Sequence, residues 1–591
     1  MRYIEDDIDD SSSRGRLVHV RPKNRGGRSG LGTSRRRSAS GNTWPFHVRL
    51  RPHIHSPFSW LITRVLPPST FRLLESLIKA DLLVTTSSPQ GTLPSRFYQL
   101  SETRLTGNRS SNTPIDLLKD DSLFIIISFC RPVISDDNAV YSHQTLDGEV
   151  WNSERWWYRL IHVCRRWRRL VLDSASRLQV FLVCARGTPV AEMLAHAPPF
   201  PLIIDHIDEG YHVLTPEDEE GIKLALQQRD RVRRIRIRKS NSILKRLVVA
   251  LDGEFPILEY LSIDDLPFRR PFINYMTNLD LPETFRAPHL HELVLDNFAA
   301  PIESLALTTM GNLVTLWLTS IPSSGYFYPD YLLQRLSLLP QLETLRIAFN
   351  CYNPSRGIED IEGQYLQPNF KRVTLPSLHW LMFDGINTYL EALLPWATIP
   401  LLERLSVHFL NPMIYPIPHL EQLMTTARNL RLKSTTFIFR EDYLHVMAYP
   451  HKGARLYTFF MELGNKRLDK QVESAAEFFH PLKTALSAVE DLTFVYDRHY
   501  ASLADQARRS HWGELLGSFE KVKTLRVEDE LVEQLSLALE HGERESQTEL
   551  FPELKELSYP IIGVSRARED PFSLFIDARR NAGRPVTLSY F

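Results

Sequence analysis

The chain has 591 residues, and its 70 Lys+Arg balance its 70 Asp+Glu, so the formal charge is zero; 43% of it is hydrophobic. Neutrality argues against bulk electrostatic capture of nucleic acid, and the apolar content is ample for a sizeable core. The cysteines, Cys130, Cys164, Cys184 and Cys351, form no CxxC pair and no disulfide-framework spacing, which suits a reducing compartment.

The first residues, MRYIEDDIDDSSS, are acidic and polar, unlike a secretory signal, and apolar runs such as SLFIIISFC are far too short to cross a bilayer. The expected location is therefore cytoplasmic and/or nuclear, without membrane contact. Residues 11–56 carry eleven Lys/Arg and no Asp or Glu. Such a segment buries too little surface to offset its ordering entropy, so residues 1–56 are expected to be a disordered basic tail. Residues 57–113 turn apolar at PFSWLITRVL and are expected to be a linker with room for one helix.

From 114 to 177 the pattern is helical. TPIDLLKDDSLFIIISFC puts Leu118, Leu123, Ile126 and Ile127 on short helices, and a polar loop follows at 134–154. Beyond it, RWWYRLIHVCRRWRRLVL continues as a helix whose stripe is Leu160, Val163, Cys164, Trp167, Leu170 and Val171. Arg165, Arg166, Arg168 and Arg169 form its solvated face.

Beyond 178 the template L-x-x-L-x-L recurs. It fits Leu258/Leu261/Ile263, Leu290/Leu293/Leu295, Leu313/Leu316/Leu318, Leu342/Leu345/Ile347, Leu378/Leu381/Phe383 and Leu402/Leu405/Val407. Val489/Leu492/Phe494, Val522/Leu525/Val527 and Leu554/Leu557/Tyr559 follow, and Val232/Ile235/Ile237 and Leu178/Phe181/Val183 precede. One match means nothing in a Leu-rich chain, but a series at quasi-regular spacing marks a leucine-rich-repeat solenoid. The stretch between the starts at 402 and 489 leaves room for about two degenerate repeats. The Asn usual eight residues after each start is nearly absent: only Asn350 sits there, and Ile321 and Ile386 are among its apolar replacements.

The second half of the helical region, Val163-Cys164-x-x-Trp167-x-x-Leu170, and the run HVCRRWRRLVLDSASRLQ before FLVCARGTPVAEMLAHAPPFPLII carry a resemblance. Residues 114–177 resemble an F-box, and 114–591 is similar to the F-box/leucine-rich-repeat proteins abundant in mushroom-forming fungi. The family begins its motif with Leu-Pro, whereas Leu118 here precedes Lys119. The fold class implied is α/β: a small all-α F-box module, then an irregular leucine-rich-repeat solenoid over 178–591 with a curved parallel sheet. The resemblance implies a non-catalytic substrate receptor of a Skp–cullin–F-box ubiquitin ligase. It would dock a Skp-family adaptor, and through it a cullin, by way of Leu118, Leu123, Ile126, Ile127, Trp157, Val163, Trp167 and Leu170. Leu160, Cys164 and Val171 would form the module's own core, with Leu123, Ile127 and Trp167 facing the adaptor.

A protein substrate would lie on the concave face, where the third, fifth and seventh template positions stack from strand to strand. There Arg234, Arg236, Arg238, Trp317, Arg346, Trp380 and Arg404 are the candidate contacts. Exposed tryptophans and arginines match the composition of binding surfaces, although the long loops at 321–340 and 348–377 offer the two indoles a cover instead. The arginines suit an acidic or phosphorylated segment, unless Asp264, Glu292 and Asp296 on the next strands neutralise them.

The sequence has no GxxxxGK[ST], GxGxxG, HExxH or GxSxG, and the His47/His53/His55 and His289/His291 groups are poor metal sites. No catalytic residue, cofactor or metal is expected. Two other readings stay open: an interaction scaffold with a degenerate F-box and no ligase link, and a nucleic-acid-associated protein using its 11–56 tail and the arginines of RVRRIRIRK.

Overall fold

Each L-x-x-L-x-L segment forms one short strand, because alternating leucines give a strand one apolar face that only a neighbouring strand and a covering helix can bury. The computed structural model describes residues 118–130, 156–207, 214–265, 281–297, 309–322, 325–349, 371–409, 417–497, 509–528, 531–545, 550–560 and 570–591. Two compact units divide the chain, Met1–Pro67 and Pro68–Phe591, and every described residue belongs to the second. The expected tail, linker and 134–154 loop lie outside the described residues.

The strands are β1 (Leu182–Cys184), β2 (Leu202–Ile207), β3 (Val232–Lys239), β4 (Tyr260–Asp265), β5 (Glu292–Asp296) and β6 (Thr315–Ile321). Next come β7 (Thr344–Phe349), β8 (Val373–Thr374), β9 (Trp380–Gly385), β10 (Ala397–Thr398) and β11 (Arg404–Phe409). The last are β12 (Ser434–Phe439), β13 (Tyr443–Tyr449), β14 (Phe459–Gly464), β15 (Asp491–Tyr496), β16 (Thr524–Val527), β17 (Glu556–Tyr559) and β18 (Thr587–Tyr590). Among the described residues all but β8 and β10 join one sixteen-stranded sheet, in the order β1-β2-β3-β4-β5-β6-β7-β9-β11-β14-β13-β12-β15-β16-β17-β18. Its core ladder runs in register from Ile235 through Leu261, Leu293, Leu316, Leu345 and Leu381 to Leu405, all buried. Each such leucine contributes on the order of 2 kcal/mol relative to exposure. Helices return over this face. The helix Asn387–Leu393 sends Tyr389 against Phe383, and the helix Leu468–Phe479 sends Phe479 against Phe437. Ile321 and Ile386 are buried at the strand ends as the apolar substitutes for the usual Asn. This is an α/β leucine-rich-repeat solenoid.

The stretch between the 402 and 489 starts departs from the expectation of two further repeats. It holds a meander laid in reverse spatial order. β14 runs parallel to β11, β12 runs parallel to β15, and β13 lies antiparallel between them. Strict alternation of buried Thr435/Phe437/Phe439, Leu444/Val446/Ala448 and Phe459/Met461/Leu463 fits strands and leaves no Leu-x-x-Leu corner for a repeat. The three residues 440–442 between β12 and β13 are too few for anything but a hairpin.

The template at Leu178/Phe181/Val183 is one residue out of register. Cys184 pairs with Ile204, which continues the core ladder, so Phe181 and Val183 point to the opposite face and pack with Ile203. A one-residue slip moves a strand's whole apolar set across the sheet. Leu178 ends a short helix, Ala175–Leu178.

The helical module comprises α1 (Asp120–Phe129), α2 (Trp156–Leu160) and α3 (Arg165–Asp173). The single helix expected over 155–172 is broken at Cys164, which is extended (φ −158°, ψ 172°) and exposed rather than part of the core. Its Sγ accepts a 3.5 Å hydrogen bond from Trp167 N and so caps α3, while Arg168 Nε donates to Ile161 O at 2.9 Å across the break. Arg166 is no idle surface charge either. It pairs with Asp120 at 2.6 Å and donates to the Leu118 carbonyl, tying α3 to the first turn of α1.

Candidate protein-recognition face

The concave face begins with Phe181, Val183 and Ile203, over which the Arg233 guanidinium stands 5.2 Å from the Phe181 ring. Beside this patch, register sets Arg234, Arg236 and Arg238 of β3 opposite Ile203, Asp205 and Ile207 on one side and Tyr260, Ser262 and Asp264 on the other. Arg236 lies 3.6 Å from Asp205, Arg238 is ion-paired to Asp264, and Arg233 meets Glu259 at 2.6 Å. The expected anion-reading ladder is thus largely neutralised in place. Burial and the charge of Asp296 push the Asp264 carboxyl up to about 6 despite Arg238. Burial likewise raises Glu292, against the charges of Arg234 and Arg236, and lifts the Tyr260 phenol to about 12. These carboxyls sit where water is scarce.

The centre of the face is apolar. Trp317 (6% exposed) and Trp380 (8%) pack with Val294 and Met382 into one cluster, so neither indole is the exposed anchor expected from its template position. Strand register explains this: Trp317 stands opposite Val294, and Trp380 shares a face with Met382. Ring surfaces of 150–250 Å² are stable on a strand only when neighbours cover them. Arg346 lies 5.9 Å from the Trp317 ring and bonds Asp384 at 3.2 Å, and Arg404 lies 5.6 Å from the Trp380 ring. Among the described residues Trp380 Nε1 has no acceptor.

A third group was not foreseen in the sequence. Glu462 on β14 is held between His408 at 2.9 Å and His445 at 2.7 Å, with Asp384 4.0 Å from His408. It exists because β14 lies beside β11, where an ordinary repeat strand would otherwise stand. Burial opposes the Glu462 charge, but the hydrogen bonds and charges of both histidines lower its pKa to about 2. Burial likewise opposes the His408 cation, yet Glu462 and then Asp384 hold its pKa above the ordinary value.

On the helical module, the structure puts Leu123, Ile126, Ile127, Trp157 and Trp167 in the chain's own interior, with Leu118, Val163 and Leu170 half-buried. The outward placing expected for Leu123, Ile127 and Trp167 is corrected. A module this small has few large apolar side chains and uses them for its core. Trp157 Nε1 donates to Phe181 O at 3.2 Å, its ring meets Phe200 edge-on at 5.9 Å, and Arg177 stands 4.3 Å above Phe124. The module therefore abuts the first strand of the sheet. Among the described residues, the large apolar side chains it turns outward are Ile125 (45% exposed) and Phe129 (47%), one helical turn apart on α1.

Among the described residues no three His, Cys, Asp or Glu side chains are grouped to hold a metal ion, and no helix is long and apolar enough to cross a membrane. What the face offers chemically is shape, paired charge and dehydrated carboxyl groups, all of them features found at binding surfaces.

No family model matches the chain, and no curated protein matches it in sequence. Solved structures resemble it distantly. The leucine-rich repeat-containing protein LegL7 from Legionella pneumophila is 11% identical with a TM-score of 0.24, covering 69% of this chain and 99% of that one. Yeast Rad7, solved in complex with Elc1, is also 11% identical with a TM-score of 0.24, covering 79% and 92%. These are likenesses of a repeat chain and carry no further weight.

Proposed function

We propose that the chain is a non-catalytic, intracellular substrate receptor. In this reading the helical module docks a Skp-family adaptor, and through it a cullin-based ubiquitin ligase, while the concave face takes up a protein substrate. The observation that carries the docking half is the pair Ile125 and Phe129: two large apolar side chains, each nearly half exposed, adjacent on a helix whose Leu123, Ile126 and Ile127 are spent on the core. A helix presenting i, i+4 anchors is a common form of helix-in-groove recognition. The docking residues named from sequence thus give way to their outward neighbours, with Leu123, Ile127 and Trp167 as the support beneath.

The full chain, incubated with purified Skp-family adaptor, is expected to retain it. Ile125→Asp with Phe129→Asp is expected to weaken retention by about tenfold or more while thermal unfolding is unchanged, since hot-spot anchors carry ~1.4 kcal/mol or more. Full retention by that double variant overturns the reading. A wild-type chain that fails to retain the adaptor leaves an interaction scaffold without a ligase link.

A further inference from the structure

The reversed meander builds a cleft that regular repeats do not have. β13 runs antiparallel, so its end at Tyr449 delivers the chain to the sheet edge where the parallel strands begin, and the turn back into β14 stands up there. The cleft, about 300 Å³, lies between the start of β11, the segment entering β12 and this turn; Glu403, Arg404, Asn429, Arg431, Tyr457 and Thr458 line it. That volume, at the low end for ligand sites, holds one or two side chains. Thr458 Oγ1 donates to Arg431 O at 2.7 Å, fixing two walls to one another. Ser406 Oγ reaches the Tyr457 hydroxyl at 3.5 Å, so the cleft opens onto the concave face.

Its two arginines differ from three others on that face. Arg236, Arg238 and Arg346 each have a carboxylate partner. Among the described residues no carboxylate lies within ion-pair distance of Arg404 or Arg431, although both border the same small cavity. Arg404 is steadied over the Trp380 ring, which leaves its guanidinium edge available. Two guanidinium groups with Asn429 and Tyr457 beside them form a receptor for an oxyanion. Glu403 on the same wall reduces the cleft's positive charge to about that of one cation, which favours a monoanion over a phosphate dianion.

We infer that this cleft takes the carboxylate of an acidic side chain from an extended protein segment lying on the concave face. The inference rests on the substrate half of the proposed function and is independent of adaptor docking. The probe is a fluorescein-labelled, end-capped hexaglutamate peptide titrated against the full chain, with hexaglutamine and a single-phosphoserine peptide alongside. Hexaglutamate is expected to bind, hexaglutamine to bind far more weakly, and Arg404→Gln with Arg431→Gln to lose about tenfold in affinity, as expected for charge-assisted contacts. Arg431→Gln alone, at an exposed position remote from the core, is expected to lose about threefold without any change in thermal unfolding. Unchanged hexaglutamate binding by either variant, equal binding of hexaglutamine, or tighter binding of the phosphoserine peptide overturns the assignment. Adaptor capture by the same wild-type sample tells a failure of docking from a failure of this site.

Discussion

One carboxylate, Glu462, illustrates how much the residue scale decides. Its lowered pKa stabilises the fold above its ordinary value of 4.5, and that contribution is lost as pH falls toward 2. The raised His408 pKa acts in the opposite sense: its contribution is complete below 6.5 and fades as pH rises through the higher folded value. Both are present together between about 4.5 and 6.5. Glu462→Gln is therefore expected to cost most stability in that window and less on either side, as measured by urea unfolding across pH; a cost independent of pH would contradict the pairing. The template positions identified Trp317 and Trp380 as concave-face residues, because alternation fixes which face a side chain takes. It did not fix their burial, which depends on the neighbours that register brings alongside. Trp317→Ala is expected to cost ~3 kcal/mol in chemical denaturation, as for a core aromatic. A loss under ~0.5 kcal/mol, as at open surface positions, would return it to the exposed class.

At the scale of elements, the strands at Leu258, Leu290, Leu313, Leu342, Leu378 and Leu402 were legible because each repeat spends its leucines the same way. The failures have a common cause: local pattern gives periodicity but not the partner strand. β1 slipped by one residue because Leu182 and Cys184 are as apolar as Phe181 and Val183, leaving the alternation without a direction. The helix over 155–172 broke because a thiol can cap, which an apolar stripe does not reveal. The meander had a visible signal, the alternation on both sides of the short turn at 440–442, but its reversed order belongs to the sheet as a whole. Close packing between elements is sharpest at Gly385 on β9. A Cβ there would come within 2.7 Å of Phe383 Cζ and 3.1 Å of Phe349 Cδ2, in a cluster where Phe349 and Tyr389 rings stand 4.9 Å apart. Gly385→Ala is expected to lower stability by ~1–3 kcal/mol, the usual cost of overpacking, read as an earlier urea midpoint with an unchanged slope. An unchanged midpoint would mean that the aromatic cluster can shift.

For the whole molecule, each strand is stabilised chiefly by its neighbours, as in any solenoid, and the helical module closes the first strand through Trp157. Docking at Ile125 and Phe129 should then leave the distant sheet undisturbed. Amide hydrogen exchange of the full chain, with and without purified Skp-family adaptor, tests this most directly. New protection is expected only in α1 and α3, Asp120–Phe129 and Arg165–Asp173, with β2 to β18 unchanged. No protection in α1, or protection appearing only in the strands, would contradict it.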